Sequence, residues 1–176
     1  MKNILKRKIG IAGCGTMGLP MLKVLLKKQI SATGYDIKPK ENFKSVKNNF
    51  VESKVSFFDQ NDVIISLVRD INETIEICEG KNGLFYFKKP KCLIISSTLS
   101  PLFIKNLKKK SPSNITLIDA PMSGAPMSAK RASLTFMIGS TKAQFKNILP
   151  LLKLMGKEIK HIGSFGAGMS VKVLNN

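Results

Sequence analysis

Lys8-Ile9-Gly10-Ile11-Ala12-Gly13-Cys14-Gly15-Thr16-Met17-Gly18, residues 8–18, decides how this chain is read. Its first five residues form a short apolar run that ends at glycine, the signature of a buried strand. Gly13, Gly15 and Gly18 then make a G-x-G-x-x-G turn. A helical pattern follows from Thr16 to Lys28, with Met17, Met21, Leu22, Leu25 and Leu26 at helical spacing. Strand, glycine turn and helix in this order form a phosphate cradle. The first glycine permits the tight turn, the second lets a pyrophosphate approach the backbone, and the third lets the helix lie close on the sheet. The free N–H groups and the positive end of the helix dipole then hold the phosphates, and Cys14, Thr16 and Met17 belong to the same cradle.

Asp36 strengthens this reading. It ends a second strand, Ser31 to Tyr35, about 20 residues beyond the loop, where an acid can bond the ribose hydroxyls of a dinucleotide. A carboxylate there repels a 2′-phosphate, so NAD is expected over NADP, with Lys38 and Lys40 softening the preference.

Working outward, Val63 to Val68 is the clearest strand, and Asp70 with Glu73 predicts a capping box for a helix through Cys78. Cys92 to Ser96 is a strand, and Ser100-Pro101 opens a helix to Lys110. Ile115 to Ile118 and Leu134 to Ile138 are strands, Thr141 caps a helix through Met155, and Glu158 to Ile162 is a last strand. Between Tyr35 and Val55 the chain is charged and Asn-rich, with no element assigned. Apolar strands alternating with helices predict an α/β fold: a single doubly wound domain of Rossmann type, with a mostly parallel sheet covered on both faces. The 176 residues suit one such core.

Composition narrows the function. The net charge is +18, from 29 basic and 11 acidic residues. The basic residues are nearly all Lys, with only Arg7, Arg69 and Arg131 as arginines, and they are scattered without interleaved aromatics. This reads as compositional bias, and charge-driven nucleic-acid binding ranks below a dinucleotide ligand. Cys14, Cys78, Cys92 and the single histidine, His161, have no metal-ligand spacing, which argues against zinc, disulfides and His-based triads. The cysteines are expected to be buried small hydrophobes, and His161 a structural residue at a strand end. No apolar run is long enough to cross a membrane, and the basic N-terminus lacks a cleavage site. The cytoplasm is the expected compartment.

The sequence ends in Gly166-Ala167-Gly168-Met169-Ser170-Val171-Lys172-Val173-Leu174-Asn175-Asn176. Read as a glycine-opened helix, it sets Lys172 and Asn176 on one face, a proton carrier beside a group that can hold a hydroxyl.

Four segments together resemble the cofactor domain of the β-hydroxyacid dehydrogenases, the family of 3-hydroxyisobutyrate dehydrogenase and tartronate semialdehyde reductase, related to 6-phosphogluconate dehydrogenase. They are Gly13 to Met21, Ser97 to Pro101, Asp119 to Gly124 and Gly166 to Asn176, and the likeness runs over residues 8–176. The resemblance implies that Leu67 and Val68 border the adenosine half of the cofactor and that Thr98 lies beside the nicotinamide ribose. It implies that Ser123 and Gly124 grip a substrate carboxylate, that Lys172 is the catalytic acid/base, and that Asn176 orients the substrate hydroxyl. The implied reaction is hydride transfer between NAD, or NADP, and a small β-hydroxy acid.

Several positions depart from the family pattern: Ala125 and Ala132 stand where glycines are usual around the substrate loop, Leu22 and Val24 replace the common alanine and asparagine of the first helix, and Gln29 replaces a C-capping glycine. The resemblance also implies an all-helical second domain beyond residue 176. Residues 1–165 are therefore expected to be the cofactor domain and 166–176 the start of the interdomain helix. The missing half would come from a partner chain or from a longer polypeptide. The alternative is a non-catalytic dinucleotide-binding module that needs a partner to complete its site.

Overall fold

A computed structural model describes residues 3–89 and 91–175; Asn176, one of the candidate site residues, lies outside the described residues. The first parallel unit follows from the opening motif. β1 (Ile9–Ala12) leads through the glycine turn into α1 (Gly18–Lys27), and β2 (Ala32–Tyr35) returns parallel to β1. α2 (Lys54–Gln60), β3 (Val63–Ser66), α3 (Ile71–Cys78), β4 (Lys91–Ile95), α4 (Pro101–Lys110) and β5 (Ile115–Asp119) continue the alternation. The remaining elements are β6 (Met122–Ser123), α5 (Pro126–Lys130), β7 (Leu134–Gly139), α6 (Lys142–Leu152), β8 (Gly156–Gly163) and α7 (Ala167–Leu174).

The sheet runs β2-β1-β3-β4-β5-β7-β6, with β8 pairing β7. Pairs from β2 through β5 are all parallel, as expected. β7 is antiparallel to β5 and β6 and parallel to β8. Chain order reverses at β1, so a crevice opens outside the carboxyl ends of β1 and β3, where ligands bind in such sheets.

Each face of the sheet carries its own core. Ile9, Ile11 and Ile94 pack with Met21, Leu22 and Leu25 of α1 and Ile148, Leu151 and Leu152 of α6. On the other face Ile64, Leu93 and Ile95 meet Phe57 and Phe58 of α2, Ile104 and Leu107 of α4 and Met169 of α7. Buried Lys91 joins α2 to β4, its Nζ donating to the carbonyls of Asp59 at 3.1 Å and Asn61 at 2.6 Å.

Three local expectations change. The charged segment after β2 folds as two short 3-10 turns within Lys40–Asn49, anchored by buried Phe43 and Val46. There Phe43 stacks on Phe50 at 4.3 Å. The box predicted at α3 is half formed: Asp70 accepts from Glu73 N–H at 2.9 Å, but Glu73 accepts from the Arg69 N–H at 2.8 Å, one residue before the cap. His161 lies within β8 rather than at a strand end, stacked on Phe145 with its Nε2 2.9 Å from the Ser140 carbonyl.

α1 closes in a Schellman motif, with Ile30 N–H on Leu25 O at 3.0 Å and Gln29 N–H on Leu26 O at 2.9 Å. This geometry puts Gln29 at φ +59°, where a side chain is strained. Gln29→Gly is expected to raise stability by about 1 kcal/mol, once the greater freedom of the unfolded chain is offset, and to raise Tm by a few degrees. Thermal melts check this; a drop in Tm contradicts it.

Candidate functional site

The glycine turn is locked from below and open above. Gly13 has φ +92°, and a Cβ on it would lie 2.7 Å from the Leu67 carbonyl. A Cβ on Gly18 would lie 1.9 Å from the Gly13 carbonyl, so only glycine lets α1 start this close to the strand. At Gly15 an added Cβ meets nothing within 4 Å. No side chain caps α1. Among the described residues, the N–H groups of Gly15, Thr16 and Met17 have no protein acceptor. An uncapped helix start with unused donors beneath open space fits a pyrophosphate. From Gly15 and Thr16 a cavity of about 570 Å³ continues between α1 and α5, with Lys23, Lys27 and Lys130 on its walls.

Cys14 is buried, and burial first, then the Asp36 charge, push its thiol up to about 12. It therefore stays protonated beside the phosphate cradle, adding no negative charge and no nucleophile.

Asp36 has a second task that the sequence reading did not assign. Its Oδ2 accepts the Cys14 N–H at 2.8 Å and its Oδ1 accepts the Lys38 N–H at 3.0 Å. The carboxylate thus ties the loop to the end of β2 and keeps lone pairs for ribose hydroxyls. It lines a groove with Gly13, Tyr35, Ile37, Val68 and Ile77. Glu76 and Glu73 also line this groove, and each is paired with a cation, Lys54 and Arg69 respectively. Hydrogen bonding from Arg69 holds the Glu73 carboxyl below its usual range.

Leu67 extends the β1 ladder through its N–H to Ala12 O at 2.8 Å, and Val68 accepts the Ser97 hydroxyl at 2.6 Å. Exposed Thr98 borders a hollow of about 530 Å³ that is shared with Arg69, Ser100 and Val173, the residue after Lys172. The structure therefore brings the Thr98 turn and the Lys172 helix to the same hollow.

Ser123 and Gly124 are exposed where β6 meets α5, and Gly124 has φ +134°. No side chain caps α5, and among the described residues the N–H groups of Ala125 and Met127 have no protein acceptor. Of the two replaced glycines, Ala125 sits in relaxed extended backbone at φ −77°. Ala132 adopts φ +56°, so the glycine-like conformation persists there under strain.

Lys172 is half-buried on α7 and makes no hydrogen bond or ion pair among the described residues. The residue that sequence reasoning missed is Asp119. Named there only as the first residue of the Asp119-to-Gly124 segment and given no role, it is fully buried and accepts from Gly166 N–H and Met169 N–H, each at 2.8 Å. Burial pushes its carboxyl above the usual range, against the pull of these donors. The signal was present: an acid closing a buried strand needs donors, and Gly166 and Gly168 opened a helix with no side-chain cap.

Among the described residues no three His, Cys, Asp or Glu side chains come together as metal ligands, and no helix is long and apolar enough to cross a membrane.

Comparison with known proteins agrees with this geometry. Residues 8–163 match the family described as the NAD binding domain of 6-phosphogluconate dehydrogenase. The chain is 34% identical over 175 residues to mitochondrial 3-hydroxyisobutyrate dehydrogenase of Rattus norvegicus, covering 97% of this chain and 52% of that enzyme. It is 31% identical to 2-(hydroxymethyl)glutarate dehydrogenase of Eubacterium barkeri, covering 96% of this chain and 58% of that one. Among solved structures, Mycobacterium tuberculosis 3-hydroxyisobutyrate dehydrogenase with L-serine superposes with a TM-score of 0.84 at 28% identity, over 96% of this chain and 58% of that one. The chain thus spans about half the length of these relatives.

Proposed function

The chain belongs to the family of the NAD-binding domain of 6-phosphogluconate dehydrogenase, among the β-hydroxyacid dehydrogenases, and from that premise we propose that it is the cofactor half of a dehydrogenase acting on a small β-hydroxy acid. One observation carries the reading. The uncapped start of α1 offers the N–H groups of Gly15, Thr16 and Met17 beside Asp36, an arrangement suited to a pyrophosphate and a ribose at once.

In this reading the loop from Gly13 to Gly18 holds the phosphates and Asp36 the adenosine ribose. Leu67 and Val68 border the adenosine, and Thr98 the second ribose. The bound nicotinamide supplies the hydride acceptor. The Ser123 hydroxyl and the backbone N–H groups following Gly124 hold the substrate carboxylate. Lys172 takes the hydroxyl proton as the carbon loses hydride, and it returns that proton in reduction. Asn176 would orient the hydroxyl. The all-helical half that encloses the substrate belongs to the same proposal, carried by the same polypeptide or by a partner chain. A reducing compartment such as the cytoplasm fits the three buried free thiols.

NAD is preferred over NADP in this reading, because Asp36 is the carboxylate of this groove without a cationic partner among the described residues, and its charge repels a 2′-phosphate. Titrating NADH and NADPH against wild type and Asp36→Ala tests the assignment by nicotinamide fluorescence. Loss of charge-assisted bonds to the ribose predicts NADH binding about 10- to 100-fold weaker in the variant, with the preference over NADPH erased. Equal NADH affinity in both proteins overturns it.

A further inference from the structure

We propose that Asp119 is the positioning residue for Lys172: a buried clamp at the end of β5 that fixes where α7 starts and how it is rotated. The inference rests on the role given to Lys172 above.

α7 has eight residues, Ala167–Leu174. Its N-cap, Gly166, has no side chain to cap with and sits at φ +95°. The capping comes instead from Asp119, 47 residues upstream. Oδ1 holds the Gly166 N–H and Oδ2 the Met169 N–H, both at 2.8 Å. Two bonds from one rigid carboxylate to donors three residues apart fix both the height of the helix start and its rotation about its axis. Lys172 lies three residues beyond Met169, on nearly the same face one turn on, so its direction follows from that rotation.

The carboxylate is itself held without slack. Asp119 faces Gly139 across the β5–β7 pair. A Cβ on Gly139 would lie 2.0 Å from Oδ1, and one on Gly168 would lie 3.0 Å from Oδ2. Glycine on the strand and glycine on the helix thus leave a slot that the carboxylate fills. The negative group at the positive end of the helix adds dipole stabilisation. Below it, buried Met169 accepts the Leu99 N–H at its sulfur at 3.2 Å, which ties α7 to the Thr98 turn. Two groups given roles in the reaction, Thr98 and Lys172, therefore share a single anchor line through α7.

Asp119→Asn tests the clamp while keeping its shape. The amide retains one acceptor and turns an N–H₂ toward the other donor. Hydrogen exchange of the amides from Gly166 to Asn175 is expected to rise about 10- to 100-fold over wild type, with β1, β3 and α1 unchanged. The rate of modification of half-buried Lys172 by an amine reagent is expected to rise toward that of the exposed lysines. Exchange in α7 within twofold of wild type overturns the proposal, as does an equal rise throughout the core, which marks a purely structural role. Should the variant fail to fold, wild-type NMR decides. The Gly166 and Met169 amide protons are expected downfield and titrating together with one midpoint, and independent behaviour overturns the clamp. Lys172→Met separates this proposal from its premise. If the clamp results hold but Lys172→Met leaves turnover of the completed enzyme unchanged, the role of Lys172 falls and the clamp on α7 stands.

Discussion

Gly18→Ala is expected to abolish measurable NADH binding, weakening it more than 100-fold, and to lower Tm by several degrees. The added Cβ would stand 1.9 Å from the Gly13 carbonyl and 3.2 Å from the Ile11 side chain. Gly13 cannot yield, because its own α-carbon faces the Leu67 backbone so closely that a Cβ there would lie 2.7 Å from Leu67 O. Its N–H is also held by Tyr35 O at 2.9 Å. The start of α1 must therefore move away from the strand, scattering the donors of Gly15, Thr16 and Met17. Charge-assisted bonds of this kind contribute about 1.5–3 kcal/mol each, so misplacing two of them accounts for the predicted loss. The overpacking adds about 1–3 kcal/mol of lost stability. Gly15→Ala separates the two effects. Its Cβ meets no protein atom within 4 Å, so Tm is expected to hold while NADH affinity falls, because the methyl occupies the space of the pyrophosphate. Fluorescence titrations and thermal melts on both variants check the pair; normal NADH binding by Gly18→Ala contradicts the loop assignment.

Gly168→Ala is the second large effect, and it acts at the opposite end of the site. A Cβ there would lie 2.2 Å from Met137 O, 3.0 Å from Gly139 N and 3.0 Å from Asp119 Oδ2. Two of these are backbone atoms of β7, held in the sheet, so α7 has to lift. Lifting uncovers Met169, fully buried in the native packing, at a cost of about 1.5–3 kcal/mol. It also strips donors from a buried carboxylate, a change of the class that costs about 3–5 kcal/mol. The two overlap, and the expected outcome is about 3–5 kcal/mol lost from the docking of α7. Urea denaturation reads any global share of this loss, and hydrogen exchange in α7 reads the local share. Wild-type values for both contradict the packing described for this helix.

The parts of the molecule legible in the sequence were those set by local rules. The glycine turn, the Ser100-Pro101 helix start and the apolar runs of β3 and β4 each carry their signal within a few residues, and they lie where expected. The segment after β2 was opaque because two 3-10 turns held by Phe43, Val46 and Phe50 have no periodicity to detect. The reversal at β7 was opaque for a different reason. The 14 residues between Asp119 and Leu134 contain the two-residue β6, too short for its alternation to be read, and its antiparallel pairing with β7 sets the reversed direction. β8 does run parallel to β7, with α6 as its crossover. Glu73 reached Arg69 instead of its own cap, since an arginine one residue upstream offered both a backbone and a side-chain donor.

Within the site, the chemistry-bearing residues of the loop were readable, but their supports were not. Asp36 was expected to face only a ribose, yet it also closes the loop onto Cys14. Asp119 bonds to donors 47 and 50 residues away: the sequence shows an acid in need of donors and a helix in need of a cap, but not that the two meet. The departures at Gln29 and Ala132 were visible as substitutions. The backbone nevertheless keeps the left-handed conformation that glycine favours, because the surrounding turns over-determine it.

The central claim is that the open start of α1, together with Asp36, holds a dinucleotide. Amide chemical shifts followed by ¹H–¹⁵N NMR during titration with NAD test it most directly. The account predicts the largest changes at Gly15, Thr16, Met17 and Asp36, persisting as salt is raised, because a cradle of backbone donors and a ribose-bonding carboxylate depend little on long-range charge. Small changes spread over the lysine-rich surface, vanishing steeply with salt and sparing the loop, would contradict it.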